Sequence, residues 1–140
     1  MSEARLDRPA LRFGVRVYYE DTDAGGVVYY AGYLRFLERA RTECLRSLGF
    51  EQSVLLQQGV AFAVRSLSAE YLMPARLDDE LVVLSTIESL GRAQVVFAQR
   101  IERGEDLLLD ARIRVACFDP RRGKAAAMPK EIHDKFKALL

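Results

Sequence analysis

A chain of 140 residues is long enough to bury one substantial core and too short for two ordinary domains, so residues 1–140 read as one unit. Half of the residues are hydrophobic, 29% are charged and the net charge is +1, a globular profile without the clustered basic and aromatic residues of a nucleic-acid surface. No apolar run reaches the roughly 20 residues of a membrane helix, and the acidic, apolar-poor start resembles neither a signal nor a transit peptide.

Residues 1–10 read as a flexible lead-in. Residues 13–19, rich in Phe, Val and Tyr, predict a first strand, and Glu20 to Val28 the loop that leaves it. The period then changes. Tyr33, Leu37, Ala40, Cys44 and Leu48 recur at helical spacing, with Gly49 as the stop. Arg35, Glu38, Arg39, Arg41 and Glu43 are expected to lace its solvated faces with weak ion pairs. Four extended segments follow, at 60–71, 80–90, 94–103 and 107–118, separated by turn-forming residues. In the last, Leu107, Leu109, Ala111, Ile113, Val115 and Cys117 alternate with polar residues, the pattern of a sheet with one dry face. Residues 119–124 read as a charged turn and 129–140 as a short terminal helix. The expected fold class is α+β: a five-stranded antiparallel sheet, its last four strands a meander, wrapped around one long central helix.

The loop carries the chemistry. Asp21 and Asp23 precede Gly25 and Gly26, whose missing Cβ atoms let the main chain approach a ligand, and a helix start just beyond offers unpaired N–H groups. A carboxylate beside an oxyanion-stabilising helix end is the constellation of an acyl-transfer site. From residue type alone, Asp23 reads first as a loop or cap aspartate, and Asp21 as a loop-shaping one. A calcium loop fits Asp21, Asp23 and Gly26 at its first, third and sixth positions, but Gly32 stands where the bidentate Glu belongs. No metal is expected. His133, the only histidine, lies in the terminal helix outside the motif and reads as structural. Cys44 and Cys117 fall in apolar periodic segments, as small buried hydrophobes in a reducing, cytoplasmic setting. Tyr30 and Tyr33 are candidates to line a pocket, whereas Tyr18, Tyr19 and Tyr29 are left to packing.

The run Tyr19-Glu20-Asp21-Thr22-Asp23-Ala24-Gly25-Gly26-Val27-Val28-Tyr29 resembles the hotdog-fold acyl-CoA thioesterases. So do Leu37-Glu38-Arg39-Ala40-Arg41-Thr42-Glu43 in the helix and Glu70-Tyr71-Leu72-Met73-Pro74-Ala75-Arg76-Leu77-Asp78-Asp79 after the second strand. Within that fold the chain is similar to the 4-hydroxybenzoyl-CoA thioesterase family and its bacterial Tol-Pal-associated branch. The resemblance implies hydrolysis of a short- or medium-chain or aromatic acyl-CoA, with Asp23 as nucleophile or general base and the backbone N–H of Tyr30 as oxyanion donor. It implies no cofactor, because coenzyme A is part of the substrate. The Tol-Pal-associated branch commonly carries His where this chain has Tyr30, a change that spares a backbone role. Tyr33 is the expected wall of the acyl site. Arg65 and Arg92, with Arg121 and Arg122 behind them, are candidates for the phosphates of coenzyme A. Unpaired strand edges and the resemblance together imply a homodimer or homotetramer. The competing class is an acyl-CoA- or acyl-carrier-protein-binding hotdog module without turnover.

Overall fold

The segments with period-two patterning form strands, and the segment with helical spacing lies across them. The computed structural model describes residues 11–140; the lead-in at 1–10 lies outside the described residues. In chain order the elements are β1 (Leu11–Arg16), a one-turn 3-10 helix (Tyr19–Asp21), α1 (Gly32–Ser47), α2 (Gln52–Gln57), β2 (Ala61–Tyr71), β3 (Glu80–Leu90), β4 (Gln94–Arg103), β5 (Asp106–Asp119), β6 (Lys124–Ala125) and α3 (Lys130–Lys137). The five long strands form one antiparallel sheet in the order β1-β3-β4-β5-β2, and β6 adds a two-residue ladder to the end of β5. Register shifts between Val64 and Ser66, Ile87 and Ser89, and Ile101 and Glu102 add local twist. This is the hotdog arrangement, a sheet curled around one long helix.

The meander is shorter than expected. β3, β4 and β5 follow one another, but β2 pairs with β5 at the far edge instead of with β3, its neighbour in sequence. Residues 72–79, read as a simple turn, therefore span from one side of the sheet to the other. β1 also stops at Arg16, before the tyrosines. Val17 N–H donates to Asp79 O at 2.9 Å and accepts at its own carbonyl from Asp78 N–H at 2.9 Å, which ends the ladder with β3. Tyr18 and Tyr19 then enter the 3-10 turn, closed by Tyr18 N–H on Asp21 Oδ2 at 2.8 Å. The short helix α2 and the strand β6 had no counterpart in the sequence reading.

α1 buries Tyr33, Phe36, Leu37, Ala40, Cys44 and Leu45 against β3, β4 and β5, where Val83, Ile87, Phe97, Ile101, Ile113 and Val115 form the other wall. Each large side chain removed from water here contributes on the order of 2 kcal/mol. Gly49, at φ +97°, ends the helix: its N–H donates to Arg46 O and that of Phe50 to Leu45 O, the paired bonds of a Schellman motif. α3 closes one end of the core with Ile132 and Phe136, the latter edge-on to Phe97 at 5.9 Å.

The helix departs from expectation at one residue. Arg41, assigned to a solvated face, is only 9% exposed, and its Nη1 donates to Gln99 Oε1 at 2.9 Å. Gln99 Nε2 in turn donates to Leu37 O and Ser85 Oγ. Arg41 lies one turn from Leu37 and from Cys44, so the geometry that buries them buries it too.

Candidate active site

The loop between β1 and α1 is held from both sides. Thr22 bridges to Val28 across a tight turn in which Asp23 N–H donates to Val27 O and Gly26 N–H to Asp23 O. Gly26 takes φ +78°, a conformation nearly closed to other residues. Val27 bridges to Arg76, and Val28 N–H donates to Ala75 O at 2.9 Å, fastening the turn to the segment after β2. That segment is itself pinned by Asp79, whose Oδ2 accepts from Arg76 N–H and Arg103 Nη1, each at 2.8 Å. Burial works against the Asp79 charge, but the Arg76 and Arg103 hydrogen bonds prevail and hold its carboxyl below the usual value.

Asp21 and Asp23 have different jobs. Asp21 turns its carboxylate inward to cap the 3-10 turn, the loop-shaping role expected of it. Asp23 is exposed; Gly25 N–H donates to its Oδ1 at 2.8 Å, and Oδ2 makes no hydrogen bond among the described residues. A Cβ at position 25 would stand 3.3 Å from Oδ1, so a glycine there gives the carboxylate room. Gly32 N–H donates to Tyr29 O at 2.7 Å and opens α1. The preceding N–H groups of Tyr30 and Ala31 have no partner among the described residues, the usual condition of donors at a helix start. Gly32 lets the loop lie close: a Cβ there would be 3.2 Å from Val28 Cγ1.

Tyr30 is exposed, and its carbonyl accepts from the Tyr71 hydroxyl at 2.9 Å. Tyr33 is buried; its hydroxyl accepts from Ala75 N–H at 2.9 Å, and its ring meets Tyr71 edge-on at 5.5 Å. Desolvation, with Tyr33 and Tyr30 adding to it, raises the Tyr71 phenol above its ordinary value. Tyr18, Tyr19 and Tyr29, expected to pack, stand at least half exposed beside the carboxylate turn in sequence. The sequence offers Tyr71 only as part of the Glu70–Asp79 motif. Its partner lies 41 residues away, and no local pattern gives such a contact.

Arg65 and Arg92 lie apart from this cluster. Arg65 is exposed at the β2 irregularity, about 20 Å along the strand from Tyr71. Arg92, also exposed, sits in the β3–β4 turn, at the end of β3 opposite Asp79 and about 33 Å along it. The chain therefore gathers Asp23, Tyr30, Tyr33 and Tyr71 through one set of loops, and leaves both arginines elsewhere on the sheet. The two cysteines are buried and free, and burial pushes the Cys44 thiol up to about 12 and the Cys117 thiol in the same direction, away from nucleophile chemistry. Among the described residues no three His, Cys, Asp or Glu side chains gather as a metal site, and no helix is long and apolar enough to cross a membrane.

An antiparallel sheet curled around one long helix defines the hotdog fold. The sequence pattern of the Thioesterase superfamily matches residues 25–109. The acyl-CoA thioester hydrolase YbgC of Escherichia coli is 52% identical over 133 residues, 94% of this chain and 99% of that protein. Among solved structures, a probable thioesterase from Bartonella henselae superposes with a TM-score of 0.82 at 36% identity, over 86% of this chain and 100% of that one. Slr0204, a 1,4-dihydroxy-2-naphthoyl-CoA thioesterase from Synechocystis, gives 0.86 at 25% identity, over 94% and 98%. The chain belongs to the Thioesterase superfamily and is a thioester hydrolase.

Proposed function

We propose that this enzyme hydrolyses a short- or medium-chain or aromatic acyl-CoA to the free acid and coenzyme A. The reading is carried by one loop: it exposes the Asp23 carboxylate, whose Oδ2 has no partner among the described residues, and leads into two N–H groups at the start of α1 that likewise have none. The thioester carbonyl lies between them. Asp23 either attacks the carbonyl carbon or takes a proton from an attacking water. On the first route the C–S bond breaks, the thiolate leaves and water hydrolyses the resulting mixed anhydride. On the second, hydroxide adds and the tetrahedral intermediate expels the thiolate directly. In both, the carbonyl oxygen gains charge and is stabilised by Tyr30 N–H. A thiolate departs readily, so this sparse set of groups suffices for a thioester.

Tyr33 and Tyr71 back the acyl site, and the name of the naphthoyl-CoA-cleaving neighbour favours a planar aromatic acyl group among the candidates. A second copy completes the site. β2 is hydrogen-bonded on one side only among the described residues, and Val64, Leu67, Tyr71, Leu72 and Met73 along and beyond it are exposed. A homodimer through this edge, paired again into a tetramer, covers them and offers Arg65 or Arg92 of one subunit to the coenzyme A phosphates of the other. The free thiols are the ground for a cytoplasmic location. An acyl carrier protein as thioester donor and a link to the Tol-Pal system follow the sequence resemblance.

Thiol release across a panel of acyl-CoA and acyl-carrier substrates tests the reading, with Asp23→Asn as the decisive variant. Turnover should fall by about two orders of magnitude or more while fold and oligomer persist. Near-normal turnover in a folded variant sinks the assignment, and binding without thiol release would favour an acyl-binding module.

A further inference from the structure

Beside β2 lies a cavity of about 310 Å³ with Leu45, Phe62 and Phe97 among its walls. Arg41 lines it. The residue is nine-tenths buried, and its guanidinium has one neutral hydrogen-bond partner, Gln99, and no carboxylate within ion-pair distance among the described residues. Desolvation lowers the Arg41 pKa, and the field of Glu38 opposes that shift without an ion pair being formed. A buried charge left in that state is costly, and an opposite charge brought to it gains most of what an exposed pair would lose to solvent. Glu38 is exposed on the rim of the same cavity and equally makes no ion pair among the described residues.

Along α1, Leu34, Glu38, Arg41 and Leu45 stand at spacings of four, three and four, which places them in one stripe. That order is its own complement when reversed. If two such helices run antiparallel about a two-fold axis between positions 39 and 40, each Leu34 meets the other Leu45 and each Glu38 meets the other Arg41. A small carboxylate ligand fits less well: it meets the same Glu38 on the rim but brings no second arginine to offset the repulsion. We infer that a second copy of this chain closes the cavity, with reciprocal Glu38–Arg41 ion pairs joining the two α1 helices beside the β2 edge. This rests on the dimer proposed above and assigns the charges that fix its register.

Charge exchange tests it. Glu38→Arg places two arginines at each contact and Arg41→Glu two glutamates, so each variant alone should dimerise more weakly, by about tenfold or more in dissociation constant. Mixed, they restore both pairs and should form a one-to-one heterodimer, read by light scattering and native mass spectrometry. Should Arg41→Glu fail to fold by circular dichroism, mixed Glu38→Cys and Arg41→Cys proteins must oxidise to a cross-linked heterodimer. A wild-type protein that is monomeric overturns the dimer itself. A dimer indifferent to Glu38→Arg, or single variants with no preference for each other, overturns the pairing and leaves the dimer standing. A cavity that takes benzoate in the wild-type dimer but not in the Arg41→Glu dimer would likewise overturn it, in favour of a ligand.

Discussion

At Tyr30 the two backbone groups differ. Its N–H, at the helix start, has no partner among the described residues, while its carbonyl is fixed by the Tyr71 hydroxyl. That bond orients the peptide joining Tyr30 to Ala31, and so the donors on either side of it. Tyr71→Phe should therefore lower kcat, by about tenfold, with KM little changed and stability reduced by about 1 kcal/mol, the ordinary net worth of one hydrogen bond. Tyr30→Phe is the control, and a backbone role predicts near-normal turnover. A raised KM at constant kcat in Tyr71→Phe would mean that the hydroxyl binds substrate instead of orienting the helix start. The turn that exposes Asp23 was legible because it is local: two glycines and a helix start follow within a few residues. Tyr71 was not, since its role depends on a strand that arrives beside the loop only after folding.

At the scale of elements, helix α1 was legible almost end to end. Its apolar spacing and the Gly49 stop are properties of neighbouring residues, and the Schellman bonds follow from them. The burial of Arg41 was hidden by chemistry, because an arginine at a core-facing position reads as surface unless its helical neighbours are weighed above its charge. The segment 72–79 was hidden by topology, and what holds it is Asp79. Its carboxyl titrates below the ordinary value in the folded protein, so it contributes stability that is complete above about pH 4 and is lost as the pH falls through the folded value. Asp79→Asn should accordingly cost about 1–3 kcal/mol at pH 7, where a charge-assisted bond to Arg103 is lost. The gap between wild type and variant should close in acid, as followed by urea unfolding at pH 7 and pH 3. A gap independent of pH would place the worth of Asp79 in its shape and not its charge.

For the whole molecule, the decisive contact is a long-range one. β2 pairs with β5, 38 to 57 residues further on, and its other edge is unpaired among the described residues. Alternation could mark β5 as half-buried, but it had little to say of β2, whose residues are exposed on both faces for most of its length. An eleven-residue edge strand bearing Val64, Leu67 and Tyr71 is a liability in a monomer and an asset in a dimer. Leu67 is 43% exposed, so a lysine there leaves the core untouched while burying a charge in any sheet that continues across the edge. Leu67→Lys should keep its circular dichroism spectrum and lose the dimer in light scattering. If the site is shared between subunits, its thioesterase turnover should also fall by about tenfold or more and recover as protein concentration is raised, because mass action rebuilds the pair. A monomer that hydrolyses thioesters at the wild-type rate would confine the whole site to one chain, and Arg65 and Arg92, distant from Asp23 within that chain, would then have no route to the substrate.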